Sequence, residues 1–140
     1  MPGHRGRLNG ARALRVLLVE DEMLIADYLA LLIEEAGHAV LGPAATAAEA
    51  LAILRDGPPD VAVLDVKLPG GMDGIELAAE IRRRHAGLPV VFASGSGDPT
   101  TRSRIEAAGA LAFLQKPVDP VALLAALTRA ARGGNSGVAL

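Results

Sequence analysis

Residues 58–74 read Pro58-Pro59-Asp60-Val61-Ala62-Val63-Leu64-Asp65-Val66-Lys67-Leu68-Pro69-Gly70-Gly71-Met72-Asp73-Gly74. A short apolar run bounded by proline and glycine is the pattern of a buried strand, and Asp65 stands at its C-terminal tip. Open α/β sheets bind ligands at those tips, where a carboxylate can serve as nucleophile or metal ligand. Three further apolar runs end in fitting chemistry. Val16 to Val19 is followed by Glu20 and Asp21, Val90 to Ala93 by Ser94, and Leu111 to Gln115 by Lys116. Converged, these residues make an acidic pocket with one hydroxyl and one ammonium, an inventory suited to Mg²⁺ and a phosphoryl group.

Strands are expected near residues 15–19, 39–43, 60–64, 89–93 and 110–115, with helices between them. Ala47, Ala50, Leu51 and Leu54 recur at i, i+3, i+4 and i+7, the spacing of one helix face. Thr46 with Glu49 can form a capping box at that helix's start, and Gly57 follows its end. Asp73, Glu76 and Gly87 repeat the grammar for the third helix. Asp98-Pro99 and Asp119-Pro120 each put a capping side chain before a first-turn proline, and Gly37 and Gly109 stop the first and fourth helices. Strict βα alternation implies a parallel sheet with helices on both faces, joined by right-handed crossovers. The expected fold is therefore a five-stranded, doubly wound α/β domain of flavodoxin-like order 2-1-3-4-5. That order sets Glu20 and Asp21 beside Asp65.

A chain of 140 residues, 51% hydrophobic, is the size of one domain with a sound core. We expect a flexible basic arm at 1–14 carrying Arg5, Arg7 and Arg12, a folded unit at 15–132, and a flexible tail at 133–140. With two Phe, one Tyr and no Trp, the core must be packed from aliphatic residues. The formal charge of −2 argues against nucleic-acid binding by the whole surface. Arg82-Arg83-Arg84-His85 reads as a cationic helix end meeting the dipole, with no aromatic platform for bases, so no direct DNA binding is expected. Cysteine is absent, which excludes disulfides and thiolate chemistry. No apolar stretch approaches the roughly 20 residues of a membrane span, and a cytoplasmic protein is expected.

Carboxylates crowded at one sheet edge repel by about 4 kcal/mol per pair at 4 Å and an effective dielectric near 20, so they need cations. Lys116 supplies one charge, and all-oxygen ligation suits Mg²⁺ better than zinc for the rest. Taken singly, each residue has a plainer reading. Asp65 before Pro-Gly is a turn former, Glu20 and Asp21 are helix-start acids, Ser94 is a loop residue, and Lys116-Pro117 ends a strand. Their recurrence on successive strand tips is what favours chemistry.

The chain resembles the receiver domains of bacterial two-component response regulators, of the single-domain chemotaxis type. The matching pieces are Val19-Glu20-Asp21-Glu22, Leu64-Asp65 with Pro69 and Met72-Asp73-Gly74, Ala93-Ser94-Gly95, and Gln115-Lys116-Pro117. The resemblance implies that Asp65 is the phosphoacceptor, served by a sensor histidine kinase or phosphotransfer protein in a phosphorelay. It implies that Glu20, Asp21, Asp65 and the backbone carbonyl of Lys67 hold Mg²⁺, that Ser94 and Lys116 bind phosphoryl oxygens, and that Ser94 and Phe113 form the switch. A cis peptide before Pro117 is also implied. The readout face would be the fourth helix, fifth strand and fifth helix, acting on an unknown downstream protein as a stand-alone monomer or weak homodimer. Catalysis would be confined to the protein's own phosphorylation and dephosphorylation.

Two positions depart from the family pattern. Gly70-Gly71 lengthens the loop beside the metal, and Lys67 brings a cation near the phosphate. Lys67 also stands where a cobalamin module would carry histidine, and where a haloacid-dehalogenase-type phosphatase would carry a second aspartate, so both are set aside. The remaining alternative is a pseudo-receiver that keeps the fold as an interaction module without phosphate switching.

Overall fold

The computed structural model describes residues 12–95 and 97–133. Five parallel strands, β1 (Arg15–Val19), β2 (Ala39–Ala44), β3 (Val61–Asp65), β4 (Val90–Ser94) and β5 (Ala112–Gln115), lie in the order β2-β1-β3-β4-β5. They alternate with helices α1 (Met23–Glu35), α2 (Ala47–Arg55), α3 (Gly74–Arg84), α4 (Pro99–Ala107) and α5 (Pro120–Ala131). The expected order is thus observed, and strand limits differ from expectation by no more than two residues.

Side chains alternate across the pleat, so each central strand feeds two cores. Leu17, Val19, Ala62, Leu64, Val90 and Phe92 pack towards α2, α3 and α4. Val16, Leu18, Val61, Val63, Val91 and Ala93 pack towards α1 and α5. Burial on both faces explains why β3 and β4 read as unbroken apolar runs. β2 is an edge strand and tolerates Pro43, joined to Gly42 by a cis bond.

Of the 1–14 stretch, residues 1–11 lie outside the described residues, as do 134–140 of the tail. Arg12 pairs with Asp60 at 3.2 Å, and Leu14 is buried in the core beneath α1 and α5.

Caps fall where the sequence places them, with one difference. Thr46 accepts a hydrogen bond from Glu49 N, but the Glu49 carboxylate accepts from Ala45 N, one residue outside the cap, instead of closing the box on Thr46. At α3 the box is complete. Asp73 Oδ1 accepts from Glu76 N at 2.8 Å while Glu76 Oε1 accepts from Asp73 N at 2.9 Å. Asp98 and Asp119 cap α4 and α5. Asp73→Ala is expected to cost about 1–2 kcal/mol, read as a lower urea midpoint with unchanged slope.

α4 is anchored differently from the other helices. Ile105 is its one buried residue, and polar tethers do the rest. Arg104 pairs with Asp73 at 2.9 Å, and Arg82 of α3 donates to the carbonyl oxygens of Ala108 and Gly109. The neighbouring Arg83 and Arg84 pair with Glu80.

Candidate functional site

Strand register assembles the site. Val19 lies opposite Leu64 across β1 and β3, so the next residues on each strand, Glu20 and Asp65, come side by side. Asp65 is level with Ala93 of β4, and Ser94 with Gln115 of β5. Lys116 follows, its backbone N–H donating to the Ser94 carbonyl at 2.9 Å, and its bond to Pro117 is cis as expected. Asp21, Glu22, Asp65, Lys67, Ser94, Gly95 and Lys116 line one cleft of about 480 Å³. The strand tips expected to converge do so.

Within the cleft, carboxylate oxygens of Glu20, Asp21 and Asp65 lie within 4.8 Å of one another. Glu20 and Asp65 are buried and Asp21 is exposed. Lys116 Nζ reaches both buried acids, 2.6 Å from Glu20 Oε1 and 3.2 Å from Asp65 Oδ2. Glu20 also braces the start of α1, its Oε2 accepting from Glu22 N at 3.0 Å. Helix bracing and site chemistry therefore coexist in Glu20. Its buried Oε1 takes the Lys116 ammonium as its partner.

Burial, and next the charge of Glu20, raise the Asp65 carboxyl from 3.8 to about 6; Lys116 and the Lys67 backbone N–H oppose the shift. Burial works against the Lys116 ammonium, but its contacts with Glu20 and Asp65 outweigh it and hold the group above its usual range. Three acids facing one ammonium leave a deficit of positive charge. The clustered all-oxygen donors of Glu20, Asp21 and Asp65 fit a hard divalent cation such as Mg²⁺.

A raised folded pKa means that ionising Asp65 costs the fold. Its stabilising contribution is complete below about pH 4 and is lost as pH rises through about 6. In chelator, thermal unfolding of the wild type is therefore expected to lose stability relative to Asp65→Asn across that window. Millimolar Mg²⁺ at neutral pH is expected to close the gap.

Phe113 lies on β5, half-buried against the core beneath α4, with the Arg102 guanidinium 5.1 Å above its ring centroid. The ring thus has a cationic neighbour on α4 that the sequence did not suggest. Lys67 lines the acidic cleft, but Gly70 and Gly71 do not. They border a separate apolar groove with Thr46, Ala47, Ala48, Leu51 and Met72. The added loop length is therefore directed towards α2. Ser96 of the Gly95-Ser96-Gly97 segment is outside the described residues.

Gly74 carries a constraint visible only in space. A Cβ there would sit 1.8 Å from the Asp65 carbonyl oxygen and 3.0 Å from Val66 Cα. Its N–H donates to the Val66 carbonyl at 2.7 Å. The start of α3 is thereby pressed onto the backbone that presents Asp65.

Comparison with known proteins agrees with this geometry. The family model described as response regulator receiver domain matches residues 16–128. Transcriptional regulatory protein PdtaR of Mycobacterium tuberculosis is 40% identical over 104 residues, covering 74% of this chain and 49% of that protein. TcrA of the same organism is 37% identical over 129 residues, covering 92% and 49%. The chain spans about half the length of these curated relatives. A CheY-like receiver domain protein from Methanospirillum hungatei superposes with a TM-score of 0.80 at 30% identity, over 89% of this chain and 98% of that one. A putative response regulator from Chloroflexus aurantiacus gives 0.79 at 30% identity, over 86% and 99%.

Proposed function

The chain belongs to the response regulator receiver domain family of two-component systems, and from that premise we propose that Asp65 accepts a phosphoryl group within a phosphorelay. The donor is a sensor histidine kinase or phosphotransfer protein. The observation that carries the reading is the buried Asp65 carboxylate, clustered with the Glu20 and Asp21 acids and 3.2 Å from Lys116 Nζ, in the lining of the cleft.

An Asp65 carboxylate oxygen attacks phosphorus, an O–P bond forms, and the P–N bond to the donor imidazole breaks with its electron pair returning to nitrogen. Bound Mg²⁺ would screen the acids and stabilise charge on the transferring group. Glu20, Asp21, Asp65 and the Lys67 carbonyl would hold it. Lys116 pairs with one phosphoryl oxygen, and the Ser94 hydroxyl donates to another. The charge gained at Asp65 then draws Ser94 towards it, and Phe113 turns inward beneath α4.

The face α4–β5–α5 transmits the change. α4 suits this role because it has one buried apolar anchor, and its arginine tethers exchange more readily than packed side chains. In this reading the receiver works in the cytoplasm and docks to a downstream partner. It is a signalling protein, catalytic only on itself.

Intact-mass measurement after incubation with acetyl phosphate and Mg²⁺ tests the proposal. One phosphoryl adduct, absent in chelator, is the expected result. No adduct, together with no Mg²⁺-dependent beryllofluoride binding, would leave a pseudo-receiver in its place.

A further inference from the structure

β1 enters the sheet between two side chains that stand in for backbone partners. On the β2 side, the Leu14 N–H donates to His38 Nδ1 at 3.0 Å, and the Leu14 carbonyl accepts from Ala39 N at 2.8 Å. On the β3 side, the Arg15 N–H donates to Asp60 Oδ2 at 2.7 Å, and the Arg15 carbonyl accepts from Asp60 N at 2.8 Å. Leu14 and Arg15 are thus each held at both backbone groups, one from either side.

The two holds differ in chemistry. A hydrogen bond from Leu14 requires a lone pair on Nδ1, which fixes the neutral His38 ring with its proton on Nε2. A proton added at Nδ1 takes that lone pair and turns the acceptor into a donor facing another donor. Leu14 is 1% exposed, in the core beneath α1 and α5, so its N–H has no route to water while the side chain stays seated. Asp60 holds Arg15 through a carboxylate that also pairs with Arg12 at 3.2 Å.

The elements around His38 do not support a charged ring against Leu14. Burial holds its pKa below the ordinary 6.5. β2 carries no ionisable residue. On β1, Arg15 donates to the Pro58 carbonyl, and beyond Leu14 the side chains of Arg12 and Asp60 engage each other. α1 contributes Glu34 and Glu35, exposed in its last turn and in no ion pair among the described residues. Those acids and the carbonyls ending α1 offer compensating charge to an imidazolium that turns away from Leu14.

We propose that His38 is a proton-operated clasp on the start of β1: the neutral ring keeps Leu14 in the core, and protonation at Nδ1 releases residues 12–14 while Asp60 keeps Arg15 in the sheet. The device regulates how the chain preceding β1 is seated against α1 and α5. A folded pKa below the unfolded one means that the clasp's contribution to stability is complete above about pH 6.5 and is lost as pH falls through the lower folded value. Its sense is opposite to that of Asp65. It lies at the start of β1, whereas the acidic cleft lies at the end, so the clasp does not require phosphorylation.

Amide hydrogen exchange of the full chain, followed by NMR from about pH 7.5 to about pH 5 and corrected for intrinsic rates, tests the clasp. Leu14 should lose protection about tenfold on acidification, in step with titration of the His38 ring, while Arg15 keeps its own. His38→Asn puts an amide oxygen at the position of Nδ1 and does not titrate, so Leu14 should stay protected throughout. His38→Leu supplies no acceptor and should leave Leu14 about tenfold less protected at every pH. Wild-type Leu14 protection indifferent to pH overturns the proposal, and so does a pH dependence that survives in His38→Asn. Equal loss at Leu14 and Arg15 overturns it too, because the whole strand is then opening. Should His38→Leu fail to fold, the wild type and His38→Asn decide between these results. None of them depends on whether acetyl phosphate forms an adduct.

Discussion

Asp65→Asn is expected to abolish the phosphoryl adduct completely while raising the stability of the metal-free protein. The loss follows from chemistry. An amide nitrogen or oxygen is a poor nucleophile beside a carboxylate, and among the described residues no other carboxylate in the cleft combines burial with a Lys116 contact except Glu20, which is already engaged at the start of α1. The gain in stability follows from charge. Asp65 is raised to about 6 by burial and by Glu20, so at neutral pH its ionised form is held against an opposing field. Removing that charge relieves the repulsion, by roughly 1 kcal/mol once solvent screening in the open cleft is allowed for. Mass spectrometry reads the first effect, and urea unfolding in chelator reads the second. A variant that still took up one phosphoryl group would move the acceptor elsewhere. A variant less stable than wild type in chelator would contradict the charge account.

Gly74→Ala is expected to damage fold and site together. The added methyl would lie 1.8 Å from the Asp65 carbonyl oxygen and 2.8 Å from its carbon, far inside contact distance, and both atoms belong to backbone. No rotamer change can relieve it, so either α3 moves outward, loosening the Gly74–Val66 hydrogen bond, or the end of β3 moves. Overpacking of this severity costs about 3 kcal/mol. A displacement of Asp65 by about 1 Å lowers the rate of phosphorylation about a hundredfold. Gly71→Ala is the matched control. That position is exposed, has nothing within 4 Å of an added Cβ and does not require positive φ, so its effect should stay within about 0.5 kcal/mol. Urea denaturation and the acetyl phosphate rate, measured on both variants, separate a steric effect at Gly74 from a general sensitivity of the loop.

Much of this molecule was legible in the chain because its signals are local. Alternation of apolar runs with helical patterns specifies a parallel α/β sheet, since strands buried on both faces and helices with one apolar side have few ways to cover one another. Aspartates before first-turn residues mark where α3, α4 and α5 begin, because the capping bond spans only three residues. The candidate site was legible for the same reason. In such a sheet every strand points its C-terminal tip to the same edge, so residues at the ends of apolar runs converge whatever the intervening sequence.

What remained for tertiary structure depends on distances that no local pattern records. Glu49 turns to Ala45 instead of Thr46, the Gly70-Gly71 length is taken up against α2, and Arg102 stacks over Phe113. Lys116 divides its charge between Glu20 and Asp65, the latter 51 positions away. Arg104 reaches Asp73 across 31 positions, and the backbone of Asp65 leaves no room for a side chain at residue 74. Periodicity states which face a residue occupies but not how far one element slides along the next. Sequence by itself therefore determined the fold and the set of residues at the sheet edge. Only close packing between elements decided their contacts, because an ångström of sliding leaves the pattern unchanged while making or breaking every one of them.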